Sequence, residues 1–210
     1  LRQQVLGIGA GERSQRVADL LQHHQPERAL VFSETRVECD RLARRLTRMG
    51  AEALALHGQL EQRDRDDVLV QFGNGSANVL VATNVAARGL DISALPVVII
   101  AELSRDPEVH LHRIGRTGRA GAGGLALTLV EPAEVPRLQA IEGFLGHPLP
   151  VGVLPPHADA LTLPLPPNRT LLLLAGRRDK LRKADVLGTL VKDAGLSLIH
   201  ISEPTRRPII

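Results

Sequence analysis

Three arginines and two glycines stand within eight residues at His112-Arg113-Ile114-Gly115-Arg116-Thr117-Gly118-Arg119. Guanidinium groups presented together on a small-residue backbone suit phosphate. Each is planar, permanently charged and able to make paired hydrogen bonds. Taken alone, such a run reads equally well as a solvated basic loop. Just ahead of it, Asp106-Pro107 predicts a helix start, with Asp as N-cap and Pro at the first helical position. That helix should run through Val109, Leu111 and Ile114 and break near Gly115 or Gly118. Arg116 and Arg119 would then sit at one end of a short helix, aimed at one place.

The surrounding pattern is an alternation. Short apolar runs at 29–33, 51–56, 79–83, 97–101 and 124–130 predict strands. Helices are predicted at 14–22, after Thr35, at 61–72, in the arginine stretch and at 132–145. Thr35 and Glu38 have the spacing of a capping box. In the helix they open, Val37, Leu42, Leu46 and Met49 are expected to face inward, and Gly50 closes it. Val68, Leu69 and Phe72 are the expected inward face of the next. Residues 1–11 read as a turn. Their G-x-G-x-G spacing is not the dinucleotide fingerprint, and no clear strand precedes it. Strands alternating with helices predict an α/β fold, a parallel sheet with helices on both faces. Ligands of such sheets bind outside the carboxyl ends of the strands. The polar clusters Ser33-Glu34-Thr35, His57-Gly58, Thr83-Asn84 and Arg88-Gly89-Leu90-Asp91 all follow strands.

Composition narrows the chemistry. The 210 residues suffice for one full domain and part of another, and 43% are hydrophobic. Phe32, Phe72 and Phe144 are the only aromatic residues of the FWY set, so the core is aliphatic and a row of stacking aromatics for single-stranded nucleic acid is excluded. The single Cys39 excludes an internal disulfide, fits a reducing compartment and reads as a helix-face residue. No Cys/His group has metal-ligand spacing. No apolar run is long enough to span a bilayer. Residues 1–146 hold 17 Arg, no Lys and 18 acids, a net of −1, while residues 147–210 net +4. The basic C-terminal third therefore suits nucleic acid, or simply solubility. Seven of residues 146–169 are Pro, which predicts a semi-rigid linker. A strand at 170–175, a basic loop and a helix at 184–194 follow. The first residue is Leu, not Met, and the chain reads as a fragment.

In combination the motifs resemble the second RecA-like domain of a DEAD-box RNA helicase over residues 1–146. Val31-Phe32-Ser33-Glu34-Thr35 resembles motif IV, and Gln62 and Arg65 have the Q-x-x-R spacing of motif IVa. Residues 81–91 resemble motif V, and His112–Arg119 resembles motif VI. His112 points to the DEAD-box group, since related groups usually carry Gln there. Asn84 departs from the commoner Asp.

The resemblance implies an ATP-dependent, cytoplasmic RNA helicase, with Mg²⁺ held by a first RecA-like domain. It implies that Arg119 is an arginine finger at the γ-phosphate, supported by Arg116. It places Gly89 and Asp91 in the nucleotide site, with Asp91 on the ribose hydroxyls. It puts Thr35, Gly58, Gln62, Arg65, Thr83 and Arg88 on the RNA backbone, and His112 between the two helicase domains. Plainer structural roles stand beside these. Thr83 could cap a helix, Asp91 and the glycines could serve turns, and His57 could pack a strand end.

The first lysine is Lys180, and neither G-x-x-x-x-G-K-[ST] nor Asp-Glu-Ala-Asp occurs. The chain is therefore expected to carry half of an ATPase site and to hydrolyse no ATP alone. Residues 170–197 resemble the start of the RRM-like RNA-binding domain of DbpA-type helicases, through Gly176-Arg177-Arg178-Asp179-Lys180 and Ala184-Asp185-Val186-Leu187-Gly188. Leu60–Asp66 and Asp106–His110 resemble the same subfamily. The implied target is large-subunit (23S) ribosomal RNA, and the implied process is ribosome assembly. Residues 198–210 resemble translated adapter sequence more than a protein segment and are assigned no function. The alternative is a non-catalytic RNA-binding or regulatory RecA-like domain.

Overall fold

The computed structural model describes residues 1–84, 95–118, 123–171 and 182–192. The chain divides into two units, Leu1–Thr170 and Leu171–Ile210. The first is built on a six-stranded sheet, all of whose pairings are parallel. Its strands are β1 (Arg2–Gly7), β2 (Ala29–Ser33), β3 (Ala53–Leu56), β4 (Val79–Thr83), β5 (Val97–Ile100) and β6 (Leu125–Val130), in the spatial order β1-β6-β5-β2-β4-β3. Its helices are α1 (Arg13–His24), α2 (Arg36–Arg48), α3 (Gln62–Gly73), α4 (Pro107–Ile114) and α5 (Val135–Leu145), the last entered through a 3₁₀ turn at Pro132–Glu134.

Alternate residues of the central strands go to opposite faces, and each face is covered. Ala29, Val31, Val79, Val81, Val97 and Ile99 meet Leu20 and Leu21 of α1 and Leu42 and Leu46 of α2. Leu30, Phe32, Leu80, Ala82, Val98 and Ile100 meet Phe72 of α3 and Ile114 of α4. This double burial is why β2, β4 and β5 read as continuous apolar runs. Each fully buried Val, Leu or Ile contributes roughly 1.5–3 kcal/mol.

Two sequence expectations are corrected. Residues 1–11 are not only a turn, because β1 pairs with β6 from Arg2↔Leu125 to Gly7↔Val130. Arg2, Gln3 and Gln4 hide it, since an edge strand need bury only part of its length. On α2, Val37 is 63% exposed, and the inward face is Cys39, Leu42, Ala43 and Leu46. Val37 lies five residues before Leu42, which is about 140° around a helix. Leu111 of α4 is also exposed, whereas Val109 and Ile114 are buried.

Residues 147–169, the expected proline-rich linker, belong to the first unit. Pro150 O accepts from Val5 N at 2.8 Å and Gly152 N donates to Val5 O at 2.8 Å, covering the open edge of β1. Leu149 and Leu161 are buried. Leu161 N donates to Met49 O at 2.7 Å. A side chain at Gly50 could not be tolerated there: its φ is +112° and a Cβ would lie 2.6 Å from Leu161 O. The carboxylate of Asp19, fully buried in α1, accepts from Ala158 N at 2.8 Å and Gln15 Nε2 at 3.0 Å. This stretch is thus docked on the rest of the first unit by backbone hydrogen bonds, a buried carboxylate and two buried leucines. In the second unit, α6 (Lys183–Lys192) begins where Arg182 N donates to the Asp185 carboxylate at 2.9 Å. The expected strand at 170–175 and the tail 198–210 lie outside the described residues, apart from positions 170 and 171.

Candidate functional site

All six strands run the same way, so their carboxyl ends share one edge of the sheet. Ser33-Glu34-Thr35 leaves β2 there, His57-Gly58 leaves β3, Thr83-Asn84 leaves β4 and Ala101-Glu102 leaves β5. Ser33 and Thr83 are register partners in adjacent strands.

Thr35 is the N-cap of α2. Its hydroxyl oxygen accepts from Glu38 N at 3.2 Å, which leaves the hydroxyl proton for another acceptor. The reciprocal half of the expected capping box is replaced by an ion pair of Glu38 with Arg41 at 3.3 Å. Thr83 is 9% exposed at the end of β4. Gly58 is exposed, and a Cβ built there would meet nothing within 4 Å. The fold itself therefore does not demand glycine at that position. Gln62 and Arg65 lie in the first turn of α3, where Gln62 Nε2 donates to Asp66 at 2.7 Å. His57 is buried, its Nε2 3.1 Å from Asp40 Oδ1. That is the packing role expected of it.

The arginine stretch is held from several directions. Asp106 caps α4 as predicted, accepting from Glu108 N at 2.9 Å, with Pro107 in the first turn. The helix ends at Gly115. Arg116, half-buried, accepts through its carbonyl from Leu95 N at 3.2 Å, and Thr117 Oγ1 donates to Leu95 O. Gly124 backs the same turn so closely that a Cβ would fall 2.3 Å from both Gly118 N and Thr117 Oγ1. His112 is exposed on α4. The expectations for Arg88, Gly89, Asp91 and Arg119 lie outside the described residues.

Sequence reasoning missed Arg113. Its side chain is 2% exposed, its Nη2 donates to Glu34 Oε1, and its Nη1 donates to Glu102 O at 2.8 Å. The guanidinium carbon lies 5.3 Å from the centre of the Phe32 ring. Glu34 N in turn donates to Glu102 Oε2 at 2.6 Å. One buried cation thus binds the turn after β2 and the end of β5 to α4. The signal was available: Arg113 stands four residues after Val109, on the apolar face. His110 shares that face, is 1% exposed, and finds no hydrogen-bond partner for either ring nitrogen. Burial, with the neighbouring Arg113 charge, pushes its pKa down to about 4.

Cys39 is buried, and its thiol, pushed up to about 11 by burial, is no nucleophile. Among the described residues no group of three or more His, Cys, Asp or Glu could hold a metal ion, and no helix is long and apolar enough to cross a membrane.

Residues 12–121 match the family model of the helicase conserved C-terminal domain. Over 189 residues, 90% of its length, the chain is 49% identical to the ATP-dependent RNA helicase DbpA of Escherichia coli, of which it spans 41%. Over 123 residues it is 48% identical to the ATP-dependent RNA helicase CshA of Listeria monocytogenes, covering 59% of this chain and 24% of the relative. Among solved structures, the DEAD-box protein SrmB of E. coli, bound to regulator of ribonuclease activity A, superposes with a TM-score of 0.69 at 32% identity, covering 76% of this chain and 96% of that one. A DEAD box protein from Methanococcus jannaschii gives 0.67 at 34%, covering 73% and 42%.

Proposed function

The chain belongs to the helicase conserved C-terminal domain family, with DEAD-box RNA helicases as its relatives, and on that premise we propose that it is the second half of a DbpA-type ATP-driven helicase acting on large-subunit (23S) ribosomal RNA. The observation that carries this reading is the gathering of Thr35, Gly58 and Thr83 at the carboxyl edge of the sheet, with the Thr35 turn bound through Arg113 to the helix that leads into Arg116.

In this reading ATP is the substrate and binds between this domain and a first RecA-like domain. Arg116 and Arg119 approach its phosphates from this side, and Asp91 accepts from the ribose with Gly89 beside it. Phosphoryl transfer requires positioning and charge stabilisation more than covalent chemistry, and an arginine finger contributes about 10³–10⁵ in rate. Magnesium neutralises phosphate charge in such reactions. In this reading the first RecA-like domain would hold it, and the described residues of this chain offer no metal-binding cluster.

RNA lies across Thr35, Gly58, Thr83 and Arg88, with Gln62 and Arg65 of α3 nearby. Hydroxyls, glycine backbone and arginine hold a sugar–phosphate chain without reading bases. Closure of the two domains, with His112 at their junction, bends the clamped strand so that a short duplex opens. In this reading the protein works in the cytoplasm.

The test is Arg119→Ala in the full-length helicase that carries this chain. RNA-stimulated ATP turnover should fall at least a hundredfold while RNA affinity is retained. Unchanged turnover would refute the finger. A wild-type protein with no RNA-stimulated turnover would instead favour a non-catalytic RNA-binding domain.

A further inference from the structure

Helix α2 carries a charged face that the proposed site does not use. Val37, Arg41, Arg44, Arg45 and Arg48 recur at helical spacing and share one side, opposite the buried Cys39, Leu42, Ala43 and Leu46. All four arginines are exposed.

Their counter-charge is thin. Arg41 pairs with Glu38 at 3.3 Å. Arg44 reaches Asp40 only at 4.0 Å, and that carboxylate already engages His57 at 3.1 Å. Arg45 donates to the neutral Gln15 Oε1 at 2.7 Å. Arg48 has no hydrogen-bond or ion-pair partner among the described residues. A cavity of about 470 Å³ lies on one side, lined by Gln15, Arg45, Arg48 and His157, with Asp159 as its one acidic member. Another of about 350 Å³ lies on the other side, lined by Asp40, Arg44, Thr47 and Arg48. Arg48 is thus the ridge between two grooves.

We propose that this arginine face is a second phosphate-binding surface, which receives the sugar–phosphate backbone of RNA beyond the Thr35 edge. The proposal rests on the helicase reading above. Continuity supports it, because Thr35 caps the same helix from which the arginines project. Spacing supports it too. Arg41 to Arg48 spans seven residues, or roughly 10 Å at 1.5 Å per residue. That is on the order of three phosphates at about 3.4 Å of duplex axis per strand charge. Guanidinium forks fit phosphate oxygens in either groove. A protein partner fits less well, since hot spots of protein interfaces centre on aromatic anchors and buried apolar pockets. The only large apolar residue exposed on this face is Val37.

The experiment uses the full-length helicase and a duplex RNA with a single-stranded extension. ATP turnover is titrated with this RNA at several potassium chloride concentrations, for wild type and for Arg44→Gln/Arg45→Gln/Arg48→Gln. The RNA KM should rise about tenfold at low salt. The slope of log affinity against log salt should become shallower by about 2, at about 0.7 for each phosphate that the variant no longer neutralises. Maximal turnover at saturating RNA should hold, and the corresponding triple lysine variant should recover most of the affinity.

Unchanged KM and slope would overturn the proposal, including the case in which an acidic protein is the true occupant. Should the triple variant lose maximal turnover, the single Arg48→Gln decides: a shallower slope supports the surface and an unchanged slope overturns it. A wild type without RNA-stimulated turnover would instead defeat the helicase reading itself.

Discussion

The Arg113 guanidinium and the Glu34 carboxylate form an ion pair across 79 residues of sequence, joining α4 to the turn that follows β2. Arg113 is nearly fully buried, whereas Glu34 keeps 31% of its side chain exposed. The two partners should therefore respond differently to removal. A buried cation left alone suffers the full desolvation penalty, while a carboxylate near solvent is partly rehydrated.

Glu34→Ala, which leaves the buried guanidinium without its counter-charge, should destabilise the fold by about 3 kcal/mol, and Arg113→Ala, which leaves a carboxylate that solvent reaches, by about 1–2 kcal/mol. Because each strips the other of its partner, the double variant should lose less than the sum of the singles, with a coupling of about 1 kcal/mol or more. Urea unfolding of the four proteins measures this. Strict additivity would mean that the pair holds nothing together.

His110 sets a pH dependence. Its pKa falls to about 4 in the folded protein, through burial first and the Arg113 charge second. The unfolded chain, with an ordinary histidine pKa near 6.5, binds the proton more readily between these values. Stability attributable to His110 is therefore complete above about pH 6.5 and declines as pH falls toward 4, by about 3 kcal/mol at most. His110→Leu should flatten that decline. The comparison is the urea midpoint of each protein from pH 4 to pH 7, and parallel curves would exclude His110 as the cause.

Two glycines at opposite edges of the sheet, Gly124 ahead of β6 and Gly58 beyond β3, should behave oppositely. Gly124→Ala drives a methyl group into Thr117 and Gly118, where the contact would be 2.3 Å. It should displace the turn that carries Arg116, lower thermal stability and cut ATP turnover in the full-length protein by tenfold or more. Gly58→Ala meets only open space. It should leave the melting temperature within a degree or two and weaken RNA binding several-fold, because a ligand backbone can no longer approach as closely. Equal melting of the two variants would show that the Gly124 contact relaxes freely.

What was legible in the sequence follows from burial. β2, β4 and β5 lie between two helical layers, so every residue but the closing Ser33 and Thr83 is apolar and the strands stand out. β1 was hidden because three polar residues open it and its outer edge is satisfied by Pro150 and Gly152, a contact 145 residues or more away that no local pattern encodes. The cap at Asp106 was legible because it is wholly local. Arg113 was legible as part of a motif but not as a buried clamp. Within the arginine stretch, charge and helix phase pointed in opposite directions, and phase won. Val37 is apolar by type, but 100° per residue puts it among the arginines, so its character alone points the wrong way.

Residues 147–169 dock against α1 through one buried carboxylate. Asp19 has a fully buried carboxylate that receives Ala158 N at 2.8 Å, Gln15 Nε2 at 3.0 Å and Arg16 Nη1 at 3.2 Å, with His157 Nδ1 at 3.0 Å. Two of these partners lie in the proline-rich segment, so the carboxylate clamps it against α1. Asp19→Ala leaves the Ala158 amide without its acceptor and the Arg16 guanidinium with Glu12 alone, at a cost of about 2–4 kcal/mol. The loss should be local before it is global, because the sheet core contains none of these groups. Limited proteolysis should then cut within 150–165 well below the melting temperature, while the sheet stays protected. Leu161→Ala should expose the same segment by weakening its packing against the core. If Leu161→Ala loosens the segment and Asp19→Ala does not, the apolar contact alone holds it and the buried carboxylate serves only α1.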